Sequence, residues 1–507
     1  MKGLFSKFRH EVFWPAFLLL LVALIYSVID QKAFLDLTNN FNDFIINKFG
    51  WLFSAGTLLM FFTCLLLYFH PISKKIIGGP DAKPLLNKWQ WFSIVLCTTI
   101  ATGIIFWGTA EPIYHITSPP KFSGLNSESE SIGAFAMSVM YLHWSFTPYA
   151  IYSIPAIVFA LAFYNKNLSF SLQSTLFPFF KEKNSKWLGI SIDGICLFAL
   201  VAGMAASLGA GILTLSGGLK YLFDWSPVWI LLVLTIAIVS SFVISAVSGL
   251  MKGIRILSDI NTRIFIILAL FILFTSDTAS IIQLSLEGFW LYIKNFFEFG
   301  TLSILYPEDP WPKSWTTFYW ANWLAWAPIT ALFLGRLAYG YTIRQFLLFN
   351  WIIPSLFGLF WMSVLSGTAI DLFLNKGLDL GGILVKEGPE AIVFQIFETL
   401  PLSKIIAAIF LLTTFLSYVT AADSNTEAMS GISSTGISPS SPAPSIFIKI
   451  VWGLTIGAVA YVMISLAGIG GIKMLSNLGG LPALFLIIAI NIGLLKLLFF
   501  KRGKSNL

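Results

Sequence analysis

Aromatic side chains are the residues of this sequence whose type and spacing first suggest chemistry. In WTTFYWANWLAWAP, residues 315–328, Trp315, Trp320, Trp323 and Trp326 fall within twelve positions, with Tyr319 among them. Wound as a helix, these five rings spread over about 140° of one face and descend roughly 16 Å. A second group, Tyr141, Trp144, Tyr149 and Tyr152 in YLHWSFTPYAIY, covers a similar arc, with Pro148 able to distort it. Two facing stripes could build a cage for a cationic group, each ring contributing about 0.5–2 kcal/mol once desolvated. Core packing and an interfacial aromatic belt are the other readings. Trp315 and Trp320 suit a belt, whereas Trp323 and Trp326 lie too deep for one.

Charged residues within apolar surroundings come next. Glu111 closes FWGTAEP, Asp423 follows SYVTAA, and Arg263 stands in LSDINTRIF. A carboxylate in a cavity can carry a coupling proton, and Glu111 is the better placed of the two. Local capping or pairing, with Pro112 ending the helix, fits Glu111 equally well. An intramembrane arginine is expensive and usually functional, yet Asp259 lies one turn before Arg263 and could pair with it. Arg263 could also snorkel to the membrane surface. The histidines His10, His70, His115 and His143 show no metal-ligand spacing, and Cys64, Cys97 and Cys196 read as small apolar residues. No metal, cofactor or catalytic dyad is expected, so an enzyme is not expected either.

The elements that hold these residues are membrane helices. The chain is 57% hydrophobic and 11% charged, against about 25% charged in a soluble domain. Twelve apolar runs of spanning length lie near 13–30, 51–70, 90–110, 131–163, 188–214, 226–248, 256–275, 313–338, 346–370, 402–422, 445–467 and 475–499. Lysine and arginine cluster at Lys2, Lys7 and Arg9, after the second and fourth runs, around the seventh and eighth, and at Lys501, Arg502 and Lys504. Intervening loops carry Glu128, Glu130, Glu287 and Glu308 instead. This alternation predicts both termini in the cytoplasm and a multi-pass protein of the cytoplasmic membrane. The net charge of +7 is thereby topological and does not signal nucleic acid. Stretches at 279–297 and 390–400 read as amphipathic surface helices. Glycine and proline interrupt the third, fourth and fifth runs. Broken helices of this kind can expose backbone to ions and substrate at the membrane midplane, although small residues also serve close packing.

Several motifs together resemble the betaine/carnitine/choline transporter family. They are SWTTFYWANWLAWAP, FWGTAEPIYH, HWSFTPYAIY, GLMKGIRILSDIN, GRLAYGYTIRQF and TAADSNT, which occur in the family's order over nearly the whole chain. The resemblance implies an all-α integral membrane protein of twelve transmembrane helices. It further implies a leucine-transporter-like five-plus-five inverted repeat after two extra N-terminal helices. The corresponding divisions are 1–89, 90–275 for the first repeat, 276–312 for a loop with a surface helix, 313–499 for the second repeat, and a tail at 500–507. A homotrimer is implied, with the lipid bilayer and a small zwitterionic or cationic substrate as partners.

By the same resemblance, Trp144, Tyr149, Tyr152 and Trp323 form the substrate box, and Trp326 lies a turn further along the path. Tyr149 and Asn322 replace tryptophans of the family pattern; the Asn322 amide must meet a neighbouring helix or the ligand. Sodium sites are degraded: TIATG (Thr99 to Gly103) keeps one glycine, Thr420 is followed by Ala421, and Leu200 and Met204 stand where threonines are usual. The resemblance therefore implies sodium-independent exchange of onium zwitterions, with Arg263 in the place of sodium. A sodium- or proton-coupled symporter of a compact zwitterion is the alternative. Arg263, Thr420 and Glu111 are the coupling candidates.

Overall fold

In hydrocarbon every backbone N–H and C=O must be satisfied within the chain, which favours helices for sequences this apolar. A computed structural model describes residues 8–100, 103–179, 186–247, 251–437 and 445–499. Lys2, Lys7, Lys181, Lys183 and the tail at 500–507 lie outside the described residues, as do Ala101 and Thr102 of TIATG. Among the described residues β pairing is confined to two isolated bridges, Phe8 with Ser434 and Ile76 with Thr342.

The principal helices are α1 (His10–Ile29), α2 (Gln31–Phe69), α3 (Lys88–Ile100), α4 (Gly103–Thr117), α5 (Ile132–Trp144), α6 (Phe146–Ala160) and α7 (Lys186–Phe223). They continue as α8 (Ile230–Val247), α9 (Met251–Thr275), α10 (Thr278–Lys294), α11 (Phe318–Leu337), α12 (Ile353–Leu374), α13 (Pro389–Glu398), α14 (Ser403–Ile432) and α15 (Ile446–Phe499). Eight helices among the described residues are long and apolar enough to cross a membrane, or nine when α3 and α4, bent by 57°, count as one span. This is fewer than the twelve expected. Two expected spans merge in α15, a run of 54 residues broken in conformation at Gly468 (φ 52°, ψ −128°). The expected sixth and eighth fall on α8, described over Ile230–Val247, and α11, whose polar and aromatic residues dilute its hydropathy. The amphipathic stretches form α10 and α13. α10 is capped by the Asp277 side chain and buries Ile281, Gly288 and Tyr292.

Burial separates the periphery from the centre. In the apolar window of Ile132–Asn165, 94% of residues are buried, against 28% for α1. The exposed Leu19, Val22, Ile25 and Val28 of α1 suit contact with lipid chains. At the centre, α11 packs against α6, α7 and α15. Gly480 of α15 permits this closeness: a Cβ there would stand 2.5 Å from the Ala321 carbonyl oxygen of α11. Gly358 of α12 plays the same part against the end of α5, where a Cβ would meet the Trp144 carbonyl oxygen at 2.3 Å. That carbonyl belongs to the break between α5 and α6 at Ser145 (φ −122°, ψ −122°).

Candidate functional site: an aromatic cavity beside a buried carboxylate

The two aromatic stripes meet on α11 and at the α5–α6 break. Trp323 is their centre: its ring lies 5.6 Å from Trp144, 5.6 Å from Tyr149 and 5.2 Å from Tyr152, centroid to centroid. The break explains how Trp323 is held. Because α5 ends at Trp144, its last carbonyls lack partners within the helix, and that of His143 accepts the Trp323 indole N–H at 3.2 Å. Beside these rings lies a cavity of about 30 Å³ lined by Trp107, Trp144, Tyr152, Asn322, Trp323 and Trp326, among others. Tyr149 touches Trp323 but is not among the residues lining the cavity. Asn322 meets a neighbouring helix and the cavity together: its Oδ1 accepts from Ser476 Oγ of α15 at 3.0 Å. Trp326 donates its N–H to the Gly203 carbonyl of α7 at 3.0 Å.

Two tryptophans depart from the belt reading. Trp320 is fully buried and Trp315 is 6% exposed. Trp315 packs at 5.1 Å from Tyr114, 5.8 Å from Trp107 and 4.8 Å from His115. Interior packing, not membrane-interface solvation, accounts for both.

Glu111 is the most densely partnered polar group near the cavity, and it is no surface cap. Its Oε1 lies 2.6 Å from His143 Nδ1 and 3.1 Å from His115 Nε2. Its Oε2 accepts from Trp144 Nε1 at 2.8 Å and from the Tyr319 hydroxyl at 2.5 Å. His143 Nε2 continues to the Thr316 hydroxyl at 3.1 Å, while His115 Nδ1 is buried without a partner. The expectation that the histidines lack a ligand grouping is thereby corrected. Glu111, His115 and His143 each offer one ligand atom, all within 4.8 Å of one another. Nitrogen and carboxylate donors of this kind suit zinc or a similar divalent ion. The same atoms also complete a hydrogen-bonded network unaided, since each imidazole can present one N–H to the carboxylate. Spacing hid the group because His143 comes from α5. Half of it was legible: Gly103, Trp107, Glu111 and His115 recur every fourth residue of α4, and such residues share a helix face.

The other coupling candidates lie apart from this centre. Arg263 is 62% exposed, pairs with Asp259 at 3.1 Å and stands over the Trp89 ring at 5.9 Å. Its place on the exterior of α9 is that of the local ion pair, and it does not line the cavity. Thr420 donates its hydroxyl to the Leu416 carbonyl of its own helix at 2.7 Å. Leu200 and Met204 are wholly buried.

An all-helical chain with many apolar spans, whose broken helices enclose an aromatic cavity, has the architecture of a multi-pass membrane transporter. Its family follows from comparison: residues 11–502 match the BCCT, betaine/carnitine/choline family transporter, model, and the chain belongs to that family. It is a transporter and not an enzyme. The glycine betaine transporter OpuD of Bacillus subtilis (strain 168) is 32% identical over 95% of this chain and 93% of its own. The ectoine/hydroxyectoine transporter of Virgibacillus pantothenticus is 28% identical over 94% of both chains. The osmo-independent choline transporter BetT1 of Acinetobacter baylyi (strain ATCC 33305 / BD413 / ADP1) is 29% identical, covering 89% and 86% respectively.

Proposed function

We propose that this chain is a secondary active transporter of quaternary-ammonium or similar methylated-onium zwitterions, of the betaine, carnitine, choline or dimethylsulfoniopropionate type. It works by alternating access in the cytoplasmic membrane. The observation that carries the reading is Trp323 within 5.6 Å of Trp144, Tyr149 and Tyr152 beside a central cavity. Such rings attract an onium group through their π faces. Trp144, Tyr152 and Trp323 contact it, Tyr149 supports them from behind, and Asn322 and Trp326 shape what else is admitted. Relatives that carry glycine betaine, choline and ectoine support this substrate class. The cavity of about 30 Å³ is far below the roughly 300–1,000 Å³ of ligand pockets, so these helices must separate to admit substrate. The reading includes cytoplasmic termini and a homotrimer, which the basic residues and the family likeness respectively favour. It also takes 90–275 and 313–499 as inverted repeats.

Transport is sodium-independent exchange in this reading. Sodium is a hard cation that wants oxygen ligands; Leu200 and Met204 offer none from their side chains, and Ala421 beside Thr420 offers none either. Arg263 takes no part. A second reading, proton symport, is favoured by Glu111, whose carboxylate joins two histidines to the cavity tryptophan Trp144. Uptake of labelled betaine, carnitine, choline and dimethylsulfoniopropionate into proteoliposomes separates these readings. The arms are a sodium gradient, a pH gradient and unlabelled internal substrate. Exchange requires the last alone. Uptake driven by pH would replace exchange with proton symport, and failure of all four compounds would refute the substrate class.

A further inference from the structure

Among the described residues, Lys473 stands close to the cavity without a carboxylate partner. Lys473, five residues beyond the break at Gly468 in α15, has its Nζ 3.9 Å from the Trp315 ring centroid, 5.2 Å from Phe318 and 5.9 Å from Trp107. Its one hydrogen bond among the described residues goes to the Ser314 carbonyl at 3.1 Å. Among the described residues no carboxylate stands within ion-pair distance of it. Glu111 acts on it only through space, and that carboxylate already meets four polar groups. A lysine near the membrane interior ordinarily pairs with an acid or a row of carbonyls; this one rests chiefly on π faces.

Its position is as telling as its partners. Lys473, Ser314 and Phe318 line a cavity of about 350 Å³ that also reaches Asn42 and Asp43 of α2. Phe318 and Trp107 line the central cavity, as does Ile472 next to Lys473. The ammonium therefore stands between a roomy outer cavity and the tight central one, on rings that would attract any onium group.

Resting on the substrate class proposed above, we propose that Lys473 selects zwitterions over net cations. An arriving onium group replaces the lysine ammonium on Trp107, Trp315 and Phe318, and the released ammonium takes the substrate's carboxylate. No covalent step is involved. A net cation such as choline gains the rings but meets an unpaired positive charge. Lysine suits this exchange of partners: its ammonium is a compact charge on a flexible stem with rotatable donors.

The test compares glycine betaine with choline, which share the trimethylammonium head and differ in the carboxylate. Wild type, Lys473→Met and Lys473→Arg are reconstituted, and KM for betaine uptake is measured beside the KM or inhibition constant of choline. Lys473→Met should raise the betaine value roughly tenfold, the size of a lost charge-assisted hydrogen bond, while choline is unchanged or binds more tightly. Lys473→Arg should keep the wild-type preference. An equal shift for both compounds would overturn the proposal and make Lys473 a structural counter-charge to Glu111; an unchanged ratio would overturn it as well. Lys473→Gln serves should the methionine variant not fold. Wild type that recognises neither compound would instead remove the substrate class, and this inference with it.

Discussion

Replacing Trp323 by alanine removes the ring on which the proposed cage is centred. Two losses follow. The first is its own π face, worth about 0.5–2 kcal/mol towards a desolvated cation. The second is the order it imposes on Trp144, Tyr149 and Tyr152, which lie 5.2 to 5.6 Å away; each such aromatic pair is worth about 0.5–1.5 kcal/mol. If half of that order is lost on binding, the total comes to about 1–4 kcal/mol, or some 8- to 1,000-fold in Kd. Folding is also at risk, since a buried Trp→Ala change costs about 3–5 kcal/mol. The assay is therefore paired: equilibrium binding of labelled substrate to purified protein, with a thermal melt on the same sample. Trp323→Phe keeps a π face and should stay within about tenfold of wild type, because one phenyl quadrupole replaces one indole. Alanine protein that melts cooperatively and binds within threefold of wild type would refute the cage.

Glu111→Gln turns one acceptor oxygen into a donor facing Trp144 and Tyr319 or the histidines, and should lower stability by about 1–3 kcal/mol, read as a fall in melting temperature with loss of uptake. Gly480→Val should abolish the folded protein, judged by size-exclusion in detergent, because even its Cβ would lie 2.5 Å from the Ala321 carbonyl oxygen. Arg263→Gln should leave uptake and its response to sodium unchanged, and cost under about 1 kcal/mol, since its ion pair is a local one with Asp259, one turn away on the same helix.

That the aromatic residues of the candidate site meet was legible because they are close in sequence. Trp323 and Trp326 share a helix, and Trp144, Tyr149 and Tyr152 flank a single break. Proximity in sequence did not reveal that Tyr149 touches Trp323 without lining the cavity while Trp107 lines it; that depends on how α4, α6 and α11 pack. The polar half was less legible for the same reason. Glu111 draws donors from α4, α5 and α11, and Lys473 reaches the rings from the far end of the chain. Arg263 shows the converse: a charge in an apolar run invites a functional role, but its helical phase turns it outward to Asp259. The sequence reading and the count of long apolar helices part at α15, where two expected spans run on as one helix across the break at Gly468, and at α11, where aromatic and polar residues lower the hydropathy that marks a span.

The buried carboxylate and the indoles are parts of one device. An indole ring is useful to a cation through its face, but its N–H must find an acceptor when buried. Each of three cavity tryptophans has a fixed one: Glu111 Oε2 for Trp144, the His143 carbonyl for Trp323 and the Gly203 carbonyl for Trp326. Two of these acceptors are available for local reasons, the carbonyl of His143 because α5 stops at Trp144 and the carboxylate because α4 carries Glu111 one turn beyond Trp107. The bonds turn the polar edges onto protein and fix the rings before any ligand arrives, so less freedom is lost when one binds. A carboxylate in this setting costs several kcal/mol to desolvate, and the four polar groups around Glu111 offset that cost while joining α4, α5 and α11. Under the substrate class proposed above, this places the negative charge at the ring edges rather than in the cavity, where it would repel the substrate's carboxylate.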